Sequence, residues 1–160
     1  MAKITNQQIV SQARTWLDTK YHHQGRLKKG NGHKGGADCV GLVLGVADEL
    51  GVRDMRGEAL LSTYDATDYS ILPKGQWMLK LVTDHIERIP IEKADIGDVL
   101  IMRFTDDPQH LGIISDYPQG GRGLIHCYSR SRYVVEQPLT EETWKHRVVA
   151  VARFNRNIYG

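Results

Sequence analysis

The sequence predicts an α+β fold, and three observations carry that expectation. Helix-period apolar residues occupy its first half, strand-like apolar runs dominate after Pro90, and no internal repeat, low-complexity tract or linker divides it. With 160 residues, 41% hydrophobic and 25% charged, residues 1–160 form one domain with enough apolar material for a core without staples.

Each element follows from local pattern. Thr5-Asn-Gln-Gln8 is a capping box, and Ile9, Val10, Ala13, Trp16 and Leu17 recur on one face, so a first helix runs to about Thr19. The polar, glycine-rich stretch 21–36 reads as a loop that delivers the chain to Cys39. Residues 39–50 are apolar nearly all round, as in a central buried helix, with Gly51 as its stop. Residues 52–75, with Tyr64, Tyr69 and Pro73, have no steady period and read as a long ordered loop. Residues 76–88 place Trp77, Leu79, Leu81, Val82 and Ile86 at helical spacing, which predicts a third helix. Five strands then follow at 98–104, 110–115, 123–128, 133–136 and 147–154, joined by turn-forming segments as in an antiparallel meander.

Charge and composition narrow the function classes. A net charge of +2 is too mild for a nucleic-acid partner, and no apolar run is long enough for membrane insertion. The N-terminal residues lack a signal-like apolar core, which predicts synthesis in the cytoplasm. Two cysteines make no disulfide framework in a domain of this size. Positive residues gather at Arg26, Lys28, Lys29, His33 and Lys34, and again at Arg130 and Arg132. Such runs are most often solvated surface; the functional alternative is attraction of an anionic substrate.

The chemistry centres on Gly36-Ala-Asp-Cys39-Val-Gly-Leu, where a loop becomes a helix. A thiol in the first helical turn feels the positive end of the backbone dipole, which favours thiolate. His110 and His126, in later strands, supply a general base and a group to orient it, so Cys39, His110 and His126 make a candidate nucleophile, base and orienter. Gly112 beside His110 clears space for the packed helix, and Cys127 faces away into the core. The plain alternatives are a packing cysteine and hydrogen-bonded strand histidines. A zinc site from Cys39, His110, His126 and Cys127, with His22, His23 or His33 adding a ligand, is disfavoured because residues 126 and 127 point to opposite faces; no metal and no cofactor is expected.

The motifs Asp38-Cys39-Val-Gly-Leu-Val, Gly97-Asp98-Val-Leu, His110-Leu-Gly-Ile and Ile125-His126 resemble the NlpC-type cell-wall cysteine peptidases, over roughly residues 8 to 155. The resemblance implies a papain-like fold with the nucleophile at the start of a central helix packed on a sheet of about five strands. It assigns Cys39 as nucleophile, His110 as base and His126 as orienter, and maps an oxyanion-site tyrosine onto Tyr21 in Tyr21-His-His-Gln-Gly25, whose glycine falls one place late. Val40 replaces the commoner serine. The implied substrate is a peptidoglycan stem peptide, cut between D-glutamate and a diamino acid, with Asp38, Arg130 and Arg132 as substrate-binding residues. The opening at residues 13–26, the segment Tyr64 to Tyr69 and the closing Val151-Ala-Arg-Phe resemble the phage and gene-transfer-particle branch. That branch implies tail or baseplate proteins as partners and synthesis in a host cytoplasm without a signal peptide. The alternative is a structural tail-tip protein that keeps the fold with weak or no activity.

Overall fold

In the computed structural model, residues 2–60, 70 and 73–157 are described. The expected tyrosine-bearing segment 64–69 lies outside them, as does most of the second half of the predicted 52–75 loop. Helix α1 (Asn6–Arg14) opens on the expected capping box: Thr5 Oγ1 accepts from the Gln8 N–H at 3.1 Å, and Gln8 Oε1 accepts from the Thr5 N–H at 2.8 Å. The helix ends well before Thr19. The backbone at 18–19 is drawn into tertiary pairing instead, with the Asp18 N–H donating to Val134 O at 3.0 Å and the Val134 N–H donating to Thr19 O at 2.8 Å.

The predicted loop 21–36 contains a short antiparallel ribbon, β1 (Arg26–Leu27) with β2 (Gly36–Ala37). Helix α2 (Cys39–Glu49) follows, and it stops where Gly51 adopts φ +70°, a conformation glycine takes without strain. Helix α3 (Trp77–Thr83) is shorter than the periodicity suggests, because residues 87–89 form an edge strand, β3 (Glu87–Ile89), paired with the last strand.

The main sheet therefore has six strands rather than about five. Beyond β3 these are β4 (Val99–Arg103), β5 (Pro108–Asp116), β6 (Arg122–His126), β7 (Val135–Pro138) and β8 (Val148–Arg153), all pairings antiparallel, in the order β3-β8-β4-β5-β6-β7. A consecutive meander from β4 to β7 is extended at its other edge by β8 and β3.

Strand alternation splits the apolar residues between two faces. Leu111, Ile113, Ile125 and Ile101 join the helices in the main core with Ile9, Leu42, Val43 and Val46. Leu100, Met102, Ile114, Leu124 and Val151 form a second cluster on the other face. Gly112 sits in that second register: a Cβ there would lie 2.4 Å from Leu124 Cδ1 and 3.3 Å from His126 Cβ. The glycine thus makes room for the neighbouring strand's side chains, and not for a packed helix as the sequence suggested.

The Gly97-Asp98 turn leads into β4, with Gly97 at φ +86°. The Asp98 carboxylate is fully buried, accepts two hydrogen bonds from the Arg153 guanidinium at 2.9 and 2.8 Å and one from the Asp95 N–H at 2.8 Å, and so ties the start of β4 to the end of β8. No helix among the described residues is long and apolar enough to cross a membrane.

Candidate active site

Cys39 is the first residue of α2, and the chain before it is pinned by Asp38. Asp38 Oδ1 caps the helix through the Gly41 N–H at 2.8 Å and pairs with Arg26 Nη1 at 2.9 Å, while Oδ2 accepts from the Gln24 N–H at 2.9 Å. Its oxygens are thus engaged by its own chain, in a helix-capping and loop-anchoring arrangement, and the residue also lines the cavity that Cys39 borders. The basic loop is anchored likewise. Lys28 Nζ bonds Glu49 Oε2 at 2.9 Å and lies 5.6 Å from the Trp16 ring centre.

Cys39 is 8% exposed and lines a cavity of about 40 Å³ with Tyr21, Gln109, His110 and Tyr128. Burial pushes the thiol strongly up from its ordinary value, and the Asp38 charge adds to this; the backbone amides of Leu111 and Val40 pull the other way. The dipole expectation of a resting thiolate is therefore outweighed by desolvation, and the sulfur is held as a thiol.

The two histidines form a pair. His110 Nε2 and His126 Nδ1 are 2.8 Å apart, and the far nitrogen of His126, Nε2, is 2.6 Å from Gln137 Oε1. Both residues lie almost wholly out of solvent, at 1% and 0% exposure. Phe104 stacks on His110 with ring centres 4.9 Å apart, and Trp144 stands edge-on to His126 at 4.7 Å. Burial pushes His110 well below its ordinary value, with His126 adding in the same direction; burial lowers His126 to about 4 against a smaller opposing effect of Gln137. At neutral pH both rings are uncharged.

Helix and histidines do not share a face of the sheet. Cys39 belongs to the core on the Leu111 side, whereas the alternation that places Gly112 against Leu124 and His126 puts the histidines on the other. Cys39 and His110 come together only in the cavity at the sheet's end, bounded by Phe104 just beyond β4 and by Tyr128 just beyond β6. His126 touches His110 but is not among the residues lining that cavity. Cys127 is core, as expected, but it does not face away from Cys39: it lines the same cavity, and its Sγ donates to Ala37 O at 3.3 Å.

Tyr21 lines the cavity, held by its N–H donating to Arg132 O at 2.7 Å. Burial, with the Asp38 charge second, raises its phenol to about 12, so at neutral pH it carries its proton. The two candidate arginines part company. Arg130 lines a groove of about 620 Å³ that shares Phe104, Tyr128 and Ser129 with the cavity. Arg132 lines neither; it occupies a left-handed turn at φ +65°, and its contribution is the carbonyl that holds Tyr21. Among the described residues, no group of three or more His, Cys, Asp or Glu side chains is placed to hold a metal ion.

The model of the NlpC/P60 family matches residues 18–153. The chain belongs to the NlpC/P60 family. Among solved structures, the NlpC/p60 domain of peptidoglycan hydrolase SagA is similar at 19% identity and a TM-score of 0.53, over 93% of this chain and 98% of that one. An N-acetylmuramoyl-L-alanine amidase from Bacteroides uniformis ATCC 8492 is similar at 14% identity and a TM-score of 0.54, over 94% and 99%. At these identities the likeness establishes the fold. No curated protein sequence matches the chain.

In this NlpC/P60 domain, sequence reasoning missed Gln137 and the aromatic wall of Phe104 and Trp144. The signal for Gln137 is register. Leu124 pairs with Gln137 and His126 with Val135, which sets Gln137 diagonally beside His126 on one face. Without the pairing, a glutamine in a polar strand carries no mark.

Proposed function

We propose that this NlpC/P60 protein is a cysteine hydrolase that cuts an amide bond in the stem peptide of peptidoglycan, with Cys39 as nucleophile, His110 as base and His126 as the group that holds the base. The observation that carries this reading is the shared cavity of Cys39 and His110 together with the 2.8 Å contact between His110 Nε2 and His126 Nδ1, which leaves His110 Nδ1 as the free ring nitrogen. Because burial disfavours both thiolate and imidazolium, proton transfer from sulfur to His110 accompanies attack on the carbonyl rather than preceding it. The carbon–sulfur bond forms, the carbonyl π pair moves to oxygen, and the Cys39 N–H and the protonated Tyr21 hydroxyl stabilise that oxyanion. Collapse expels the amine, which takes the proton from His110, and water attacking through the same base releases the acid and restores the thiol.

The groove beside the cavity extends to Arg130 and Arg147, which suits a substrate bearing free carboxylates. The amide between D-glutamate and a diamino acid is the scissile bond we favour, on the resemblance of the Asp38-Cys39, His110 and His126 motifs. The resemblance of residues 13–26 and 151–154 to the phage and gene-transfer-particle branch favours a tail-associated setting, with tail or baseplate proteins as partners after synthesis in a host cytoplasm.

One observation favours a second reading. A nucleophile that is 8% exposed, beside a cavity of about 40 Å³, suits a structural tail protein that retains the fold with little activity. Digestion of purified peptidoglycan separates the two. Wild-type protein is expected to release stem fragments of defined mass while Cys39→Ala releases none; an inert wild type supports the structural reading, and equal activity in Cys39→Ala removes Cys39 from the chemistry.

A further inference from the structure

We infer that Gln137 is a positioning residue that sets the tautomer of both histidines and thereby makes His110 a base. The inference rests on the reading of Cys39 and His110 given above, and it is carried by the two consecutive short contacts at 2.6 and 2.8 Å.

A neutral imidazole has one N–H donor and one lone-pair acceptor, so fixing one nitrogen fixes the other. Gln137 Oε1 can only accept, so His126 Nε2 carries the hydrogen and His126 Nδ1 is left with the lone pair. That lone pair accepts from His110, so His110 Nε2 carries the hydrogen. His110 Nδ1 then holds a lone pair, the form able to take the proton from the Cys39 sulfur. With the amide turned over, its NH₂ would donate to His126, each hydrogen bond would reverse, and His110 would offer an N–H where a base is needed.

Gln137 also accommodates the reaction. When His110 receives the thiol proton at Nδ1, it can pass its Nε2 proton to His126 Nδ1, so one positive charge is shared between two rings. His126 Nε2 still donates to the Gln137 carbonyl in that state. A carboxylate at this position would instead favour the charged pair before substrate arrives. A neutral acceptor matches the uncharged resting rings and the aromatic wall around them.

The test reads tautomers directly, by two-bond proton–nitrogen correlation spectra of histidine-labelled free protein, alongside kinetics on a stem peptide. In wild type, His110 and His126 are both expected as the Nε2–H tautomer. Gln137→Leu removes the acceptor; His126 is expected to lose its single-tautomer signature, and kcat to fall by about tenfold or more with little change in KM. Gln137→Glu restores an acceptor, keeps the tautomers and moves the acid limb of the kcat profile up by about one pH unit, because the anion raises the pKa of the pair. Wild-type His126 in the Nδ1–H form would overturn the inference, as would a folded Gln137→Leu protein with unchanged tautomers and unchanged kcat. The expected tautomers in a protein inert toward peptidoglycan would leave the assignment to Gln137 standing and remove the hydrolase reading instead.

Discussion

His126 shows how a single enclosed side chain couples the site to pH. Its ring has no exposure, and its pKa falls from the ordinary 6.5 to about 4 on folding, chiefly through burial. The unfolded chain therefore binds this proton first as pH falls. The stabilising contribution is complete above about 6.5 and is lost as pH drops toward 4, with a total of roughly 3 kcal/mol for a shift of this size. His110, lowered in the same direction, deepens the loss. Urea unfolding from pH 7 to pH 4 should show stability falling through this window, and His126→Gln should flatten the slope. A wild-type stability that is level across that range would show that the ring is not buried as described.

At the scale of elements, the position of Cys39 depends on how closely the chain just beyond α1 approaches α2. The contact is made by Gly45 against Trp16, where a Cβ would lie 2.2 Å from the indole carbon Cζ2. Trp16 is not free to yield: its Nε1 donates to Glu49 Oε1, and Lys28 stands over its ring. Alanine in place of glycine favours a helix interior by about 1 kcal/mol, yet overpacking of a filled core costs about 1–3 kcal/mol, and a contact this short places the balance on the unfavourable side. Gly45→Ala is expected to lower the thermal midpoint, and an unchanged or raised midpoint would contradict the tight seam between Trp16 and α2. A second close approach lies at the helix start, where a Cβ on Gly41 would meet Gly25 O at 2.1 Å. The loop bearing Tyr21 and the helix bearing Cys39 are thus joined backbone to backbone beside the Asp38 cap.

Across the whole molecule, what was legible in the sequence is what local chemistry decides. The capping box at Thr5, the apolar stretch of α2 with its Gly51 stop, and the runs that become β4, β5, β6 and β8 are each written within about ten consecutive residues. What was not legible depends on partners far along the chain. Glu87–Ile89 is a strand because Val151–Arg153 lies beside it, and α1 stops early because Val134 takes up the backbone at 18–19. The same holds at the site. Cys39, His110 and His126 stand in recognisable motifs, whereas Gln137 acquires its meaning only from the register of β7 on β6. The electrostatic expectation erred for a related reason: a helix start attracts negative charge, but the enclosure that raises the thiol comes from residues of other elements.

If Cys39 acts as proposed, its sulfur, deprotonated by His110, becomes covalently bonded to the acyl part of a stem peptide. Rapid-quench mass spectrometry of the protein with a defined stem peptide, followed by proteolytic mapping, detects that bond. A transient mass increase equal to the acyl fragment is expected, located on the peptide that contains Cys39 and absent from Cys39→Ala. Cleavage of the substrate without any adduct on Cys39, persisting in Cys39→Ala, would contradict that role for Cys39.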